Sequence, residues 1–293
     1  MERVSPTKSS SGLDEYTDAA IVRLIGELRS LYRGPLAAAE LVGYGSKAIP
    51  ALRAFLFERE PSGIWQPRGW AVQALERIGA KDVLIEYLTH PLDVHTPVER
   101  FGEDSVINAA ARALVRWPTE ETFQLLHTLC LERPLAGVID ALGEFRRREV
   151  IPCLIGALGD DLCHSAAVDA LRKLGGTACP ALIETANAPL PGADQETPSS
   201  LRRRRSALEL LRSVSLTDEE RGRIKSLMYE KDPSLAAVAC EIILDTEQGT
   251  EQERAVRRLI DLLAQADAFL RVEIEDRLAR HYSAQCDPPK RRE

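Results

Sequence analysis

The sequence predicts an all-α protein, an α-solenoid of about eight stacked helical hairpins, and three observations carry that expectation. The first is a repeat: between Leu135 and Ala186, VIDALGEF followed by EVIPCLIGAL returns as AVDALRKL followed by TACPALIETA. Leu142 and Leu171 hold the same place in the two copies, which sets a unit of 29 residues, and a period of about 20–50 residues is the mark of stacked repeats. The second is periodicity. Val138, Ala141, Leu142 and Phe145 fall at i, i+3, i+4 and i+7, one stripe of a helix. The third is punctuation. Gly175-Gly176 can end a helix with positive φ, and Pro152 or Pro180 can open the next in its first turn. Neither helix of such a unit can bury its stripe alone, so the copies must stack.

Each unit reads as helix A, a turn, helix B and a short return. The Ser-rich residues 1–12 read as a disordered tail, residues 13–282 as the solenoid, and residues 283–293 as a C-terminal tail. Helix B of each unit is anchored by Leu41, Leu75, Leu114, Leu142, Leu171, Leu211, Cys240 and Leu278. The first seven anchors are followed three residues later by Tyr44, Ile78, Trp117, Phe145, Leu174, Val214 and Ile243. The A helices are expected near 15–31, 47–58, 81–88, 119–131, 148–158, 177–186, 217–230 and 250–264. The B helices are expected near 35–44, 68–78, 105–116, 135–145, 162–174, 200–213, 234–245 and 268–281. The last helix, rich in charge from Arg271 to Arg280, suits a cap with one wet side.

These patterns resemble the HEAT-like repeat family, in its short form of about 30 residues associated with phycobilisome lyase subunits. The matching residues are Pro50-Ala51-Leu52, Pro180-Ala181-Leu182 and the Ala-Leu runs of residues 71–79 and 167–175. The resemblance spans residues 15–281 and implies a binding scaffold, because a shared fold supplies no specific activity. Such repeats often carry Arg seven residues before the anchor. Here that column reads Gly34, Arg68, Ile107, Leu135, His164, Arg204, Pro233 and Arg271, so no regular ladder of charge is expected.

Length, at 293 residues with 44% hydrophobic and 5% aromatic content, allows a long aliphatic core. No run of 18 apolar residues exists, so no membrane span is expected. The first residues, MERVSPTKSSSGLDE, lack the apolar stretch of a signal peptide. A net charge of −7 argues against a general nucleic-acid binder. Six cysteines lack any CxxC spacing, and Cys153 and Cys179 sit in apolar stretches, which reads as buried free thiols in a cytoplasmic protein.

The anchor spacings exceed the bare unit at residues 59–67, 89–104 and 187–200. All three insertions fall between helix A and helix B, so they gather on one edge of the stack, a common place for a binding face. That edge supplies the candidate interaction residues: Trp65, Arg68 and Trp70 around one helix start, Phe101 in the longest loop, and Arg202, Arg203, Arg204 and Arg205 at another start. Trp and Arg are frequent interface hot spots, although the aromatics could instead tuck back over the helix ends. Four arginines also oppose the positive end of a helix dipole, which invites an acidic partner such as Asp194 or Glu196. Arg146, Arg147 and Arg148 lie in a B-to-A return, on the opposite edge. The helix B columns two before and two after the anchor, including Arg112, Asp140, Arg116 and Glu144, read as a mixed, solvated face.

No catalytic constellation is found. His90, Asp93 and His95 share a loop without an evident fourth ligand, so no metal is assigned. Adjacent Cys163 and His164 point about 100° apart on a helix and make no reactive pair. None of the five histidines precedes Glu, so the His-Glu pairs of a di-iron hydroxylase built on this repeat are missing. The expectation is a non-enzymatic, cofactor-free scaffold that binds another protein along its insertion edge. The resemblance implies two alternatives, a subunit of a phycobilin lyase or isomerase and a nucleic-acid-binding repeat protein.

Overall fold

The structure, a computed structural model, describes residues 10–58, 63–90, 92–190 and 196–286, with side chains from 17 to 283 among them. The described residues are helical or connecting, without a strand. Among the described residues, sixteen α-helices pair in chain order as eight hairpins. They are α1 (Ser10–Glu27) with α2 (Gly34–Gly43), α3 (Ile49–Leu56) with α4 (Gln66–Ile78), and α5 (Lys81–Thr89) with α6 (Pro97–Leu114). Next come α7 (Glu120–Glu132) with α8 (Ala136–Phe145), α9 (Ile151–Ala157) with α10 (His164–Leu174), and α11 (Cys179–Asn187) with α12 (Pro198–Leu211). The last two pairs are α13 (Asp218–Lys225) with α14 (Pro233–Thr246), and α15 (Thr250–Leu262) with α16 (Ala268–Cys286). No helix among the described residues is long and apolar enough to cross a membrane.

The chain divides into two compact units, Met1–Phe145 and Arg146–Glu293. In the first, α2, α4, α6 and α8 pack each on the next, and each A helix packs on its own B helix. In the second, α10, α12, α14 and α16 follow the same order, with α9, α11 and α13 in a second row. The reason is the stripe. All eight anchors, from Leu41 to Leu278, are buried, Cys240 included. The apolar residues three positions later lie at the helix ends. Leu174 and Ile243 are buried there, whereas Tyr44, Ile78, Trp117, Phe145 and Val214 are half-buried.

The expected punctuation is present. Gly175 takes φ +54° at the end of α10, and Pro152 and Pro180 stand in the first turns of α9 and α11. Several boundaries differ from expectation. The tail expected over residues 1–12 gives way to helix at Ser10, and residues 1–9 lie outside the described residues. Helix α6 begins at Pro97 rather than near residue 105, because Thr96 caps it: its side chain accepts from the Glu99 backbone, and Glu99 reaches back to the Thr96 N–H at 3.0 Å. That reciprocal capping box fixes a helix start, so half of the 89–104 insertion is helix and Phe101 lies on α6, not in a loop. At the other end, helix runs to Cys286 into the segment expected as tail.

Cys163, Cys179 and Cys240 are buried free thiols. Burial pushes the Cys179 and Cys240 thiols up to about 12, so both are inert toward nucleophilic chemistry at neutral pH. Cys153 departs from the free-thiol expectation and is disulfide-bonded.

Candidate interaction site

The candidate residues lie just before or within α4, α6 and α12, and what surrounds each decides its role; because α12 begins at Pro198, Arg202 to Arg205 are its fifth to eighth residues and do not open it as expected. Arg68, in the first turn of α4, is buried. It donates to Glu103 Oε2 on α6 at 2.6 Å, and Glu103 Oε1 accepts from the Tyr87 hydroxyl at 2.5 Å. Burial, with the Glu103 carboxylate next in weight, pushes the Tyr87 phenol well above its ordinary range. Arg204 is 2% exposed. Its guanidinium donates to the Ala186 carbonyl at 2.8 Å, to Glu196 at 2.6 Å and to Glu230 at 2.6 Å. Glu196 thus supplies the acidic partner expected for this cluster; Asp194 lies outside the described residues. A buried arginine satisfied in this way joins one hairpin to the next and offers nothing to a partner. These two residues are therefore withdrawn from the interaction surface.

The column seven before the anchor follows the same logic. His164 Nε2 lies 2.8 Å from Ser206 Oγ on α12, a link between consecutive B helices like Arg68 to Glu103. One position on from Ile107, Asn108 accepts from the Gly137 N–H of α8 at 2.6 Å. At Gly34 the column meets an aromatic ring: a methyl group there would lie 2.0 Å from the Trp70 indole. Trp70 therefore packs α4 onto α2, and Trp65 lies 3.1 Å from the corresponding position on Gly69 of its own helix. Both tryptophans are half-buried, so they do tuck back over helix starts.

The remaining arginines disperse. Arg202 pairs with Asp161, and Arg203 donates to the Ala188 carbonyl at 3.2 Å. Arg205 bonds Glu209 at 2.9 Å and Glu273 at 3.1 Å. Partial burial draws the Arg203 guanidinium below its ordinary value. The mixed B-helix face is also paired, but between helices as well as along them: Arg112 of α6 meets Asp140 of α8 at 2.7 Å.

Phe101 behaves differently, being 64% exposed. It has company that the sequence reading did not identify. Of the fifteen exposed large apolar side chains among the described residues, thirteen lie in A-to-B connections or within five residues of one. Every hairpin contributes: Leu31, Tyr32 and Leu36; Ile64; Val98 and Phe101; Leu131; Leu162; Leu190; Tyr229; Ile260, Phe269 and Val272. None of the fifteen lies in a B-to-A return. The signal available in the sequence was a large apolar residue outside the anchor stripe at each A-to-B turn.

The His90 loop turns onto its own helix: His90 Nδ1 lies 3.1 Å from both the Glu86 carbonyl and Thr89 Oγ1. Among the described residues no three His, Cys, Asp or Glu side chains converge as metal ligands would. No protein-family model matches the chain, and no curated protein shows significant similarity to it.

Proposed function

We propose that the eight hairpins form one HEAT-like α-solenoid that serves as a non-enzymatic scaffold, binding another protein through the A-to-B ends of its hairpins. The observation that carries this reading is the bias of exposed apolar residues toward those ends, with none at the B-to-A returns. Single exposed apolar side chains are ordinary, whereas apolar residues collected on one kind of surface mark interaction sites. The polar links from Arg68, His164 and Arg204 support it indirectly, since they stiffen the helix starts that present the apolar residues. A cytoplasmic setting belongs to the same proposal; the free thiols of Cys163, Cys179 and Cys240 favour it, and the disulfide at Cys153 opposes it.

The test begins with a pull-down and identification of the captured protein by mass spectrometry, followed by affinity measurement with variants. Phe101→Ser and Leu162→Ser should weaken binding by about thirtyfold where the residue is a hot spot, with unchanged helical signal. Charge reversal at Arg147 and Arg148, in a B-to-A return, should change affinity little. Loss of binding on that reversal, with both serine variants indifferent, overturns the reading. Trp65→Ala is a poor probe, because its ring packs on Gly69 and truncation perturbs the helix start itself.

A further inference from the structure

The third and fourth hairpins enclose a cavity of about 220 Å³. Its walls are aliphatic: Leu88 from α5, Ile107 from α6, Leu129 from α7 and Val138 from α8, with Leu92 and Val94 of the α5–α6 connection closing one side. The insertion that looked like spare loop in the sequence is thus part of a wall. Well-packed interiors leave few voids larger than a water molecule, and an apolar cavity of about 150 Å³ already admits benzene. A ligand with a compact apolar body fits this space.

Four charged groups border it, Arg100, Glu103, Glu132 and Arg133. Two are committed elsewhere. Glu103 holds Arg68 and Tyr87, and Arg133 pairs with Asp104 at 2.6 Å. The other two, the Arg100 guanidinium and the Glu132 carboxylate, have no side-chain partner among the described residues. Arg100 comes from the first turn of α6 and Glu132 is the last residue of α7. Both side chains are exposed where they line the cavity, so a bound molecule's anionic end can meet Arg100 and its cationic end Glu132. A zwitterion answers both.

We propose that this cavity binds a free apolar α-amino acid, its side chain among Leu88, Ile107, Leu129 and Val138, its carboxylate on Arg100 and its ammonium on Glu132. The proposal stands apart from the protein-binding reading and does not rest on it. Calorimetric titration of the full chain with L-leucine and L-phenylalanine tests it, using N-acetyl-L-leucine and L-leucinamide to remove one charge each. At least one amino acid should bind, and each neutralised analogue should bind about tenfold more weakly or worse, as expected for losing a charged hydrogen bond. Arg100→Gln should weaken leucine by a similar factor and leave leucinamide unchanged; Glu132→Gln should do the same with N-acetyl-leucine as the indifferent probe. Val94→Trp, which fills the cavity from the connection without altering any helix residue, should abolish binding and keep the helical signal. The proposal is overturned if neither amino acid binds up to its solubility. It is equally overturned if binding ignores all three substitutions, or if N-acetyl-leucine binds as tightly as leucine.

Discussion

Arg68 shows how much one side chain can depend on a distant partner. Its column was visible in the sequence, but its acid, Glu103, lies 35 residues away, and no spacing rule links the two. The same holds for Arg204 and Glu230, 26 residues apart. Sequence alone therefore offered both arginines to a partner and, Glu196 apart, did not identify the acids they face. Removing one member of a buried pair strands the other, at a cost of about 3–5 kcal/mol. Arg68→Ala should accordingly lower the unfolding midpoint strongly, and the combined variant Arg68→Met, Glu103→Leu and Tyr87→Phe, which leaves no side chain of the cluster stranded, should restore much of it. Denaturant titration of the two variants reads this directly. Glu99 gives the pH counterpart. Backbone donation from His95 and Thr96 holds its carboxyl below the ordinary range, so the folded state favours its charged form. That contribution is present above the ordinary carboxyl range and is lost as pH falls through the lowered folded value. Glu99→Gln keeps a capping side chain and should flatten the fall in stability between about pH 5 and pH 3, as measured by thermal melts across that window.

At the scale of the element, the anchors were the most legible feature, because a 29-residue period combined with a 3.6-residue stripe leaves little freedom for where helix B lies. Helix α6 was the least legible. Extra length reads as loop, yet here Thr-Pro-Val-Glu at residues 96–99 converts it into two more turns of helix. That capping signal stands in the sequence, but anchor spacing alone does not register it. Thr96→Ala should therefore cost about 0.5–2 kcal/mol, seen as a modest drop in midpoint. The anchors themselves should differ by position. Leu171 is 1% exposed within α10, and Leu278 is 8% exposed in α16, the last helix. Truncation to alanine in a packed core costs about 2–5 kcal/mol. Leu171→Ala should fall inside that range and Leu278→Ala below it. Equal effects would mean that α16 is enclosed as fully as α10.

For the molecule as a whole, the all-helical class and the eight hairpins were readable from sequence, whereas which side chains of the proposed interaction edge are exposed was not. The insertions drew attention to the A-to-B side. The residues that fit a binding role there are not the tryptophans and the buried arginines, which hold helices together, but the apolar side chains left outside the stripe. Such residues are hard to read in advance, because a leucine at a helix start looks alike whether it packs inward or faces water. The most direct test of the central claim is hydrogen–deuterium exchange on the chain with and without a captured partner. The A-to-B segments, such as residues 28–36, 96–104 and 159–164, should gain protection, and the returns near 44–48, 79–81 and 115–119 should exchange as before. Protection confined to the returns, with the A-to-B segments unchanged, would contradict the account.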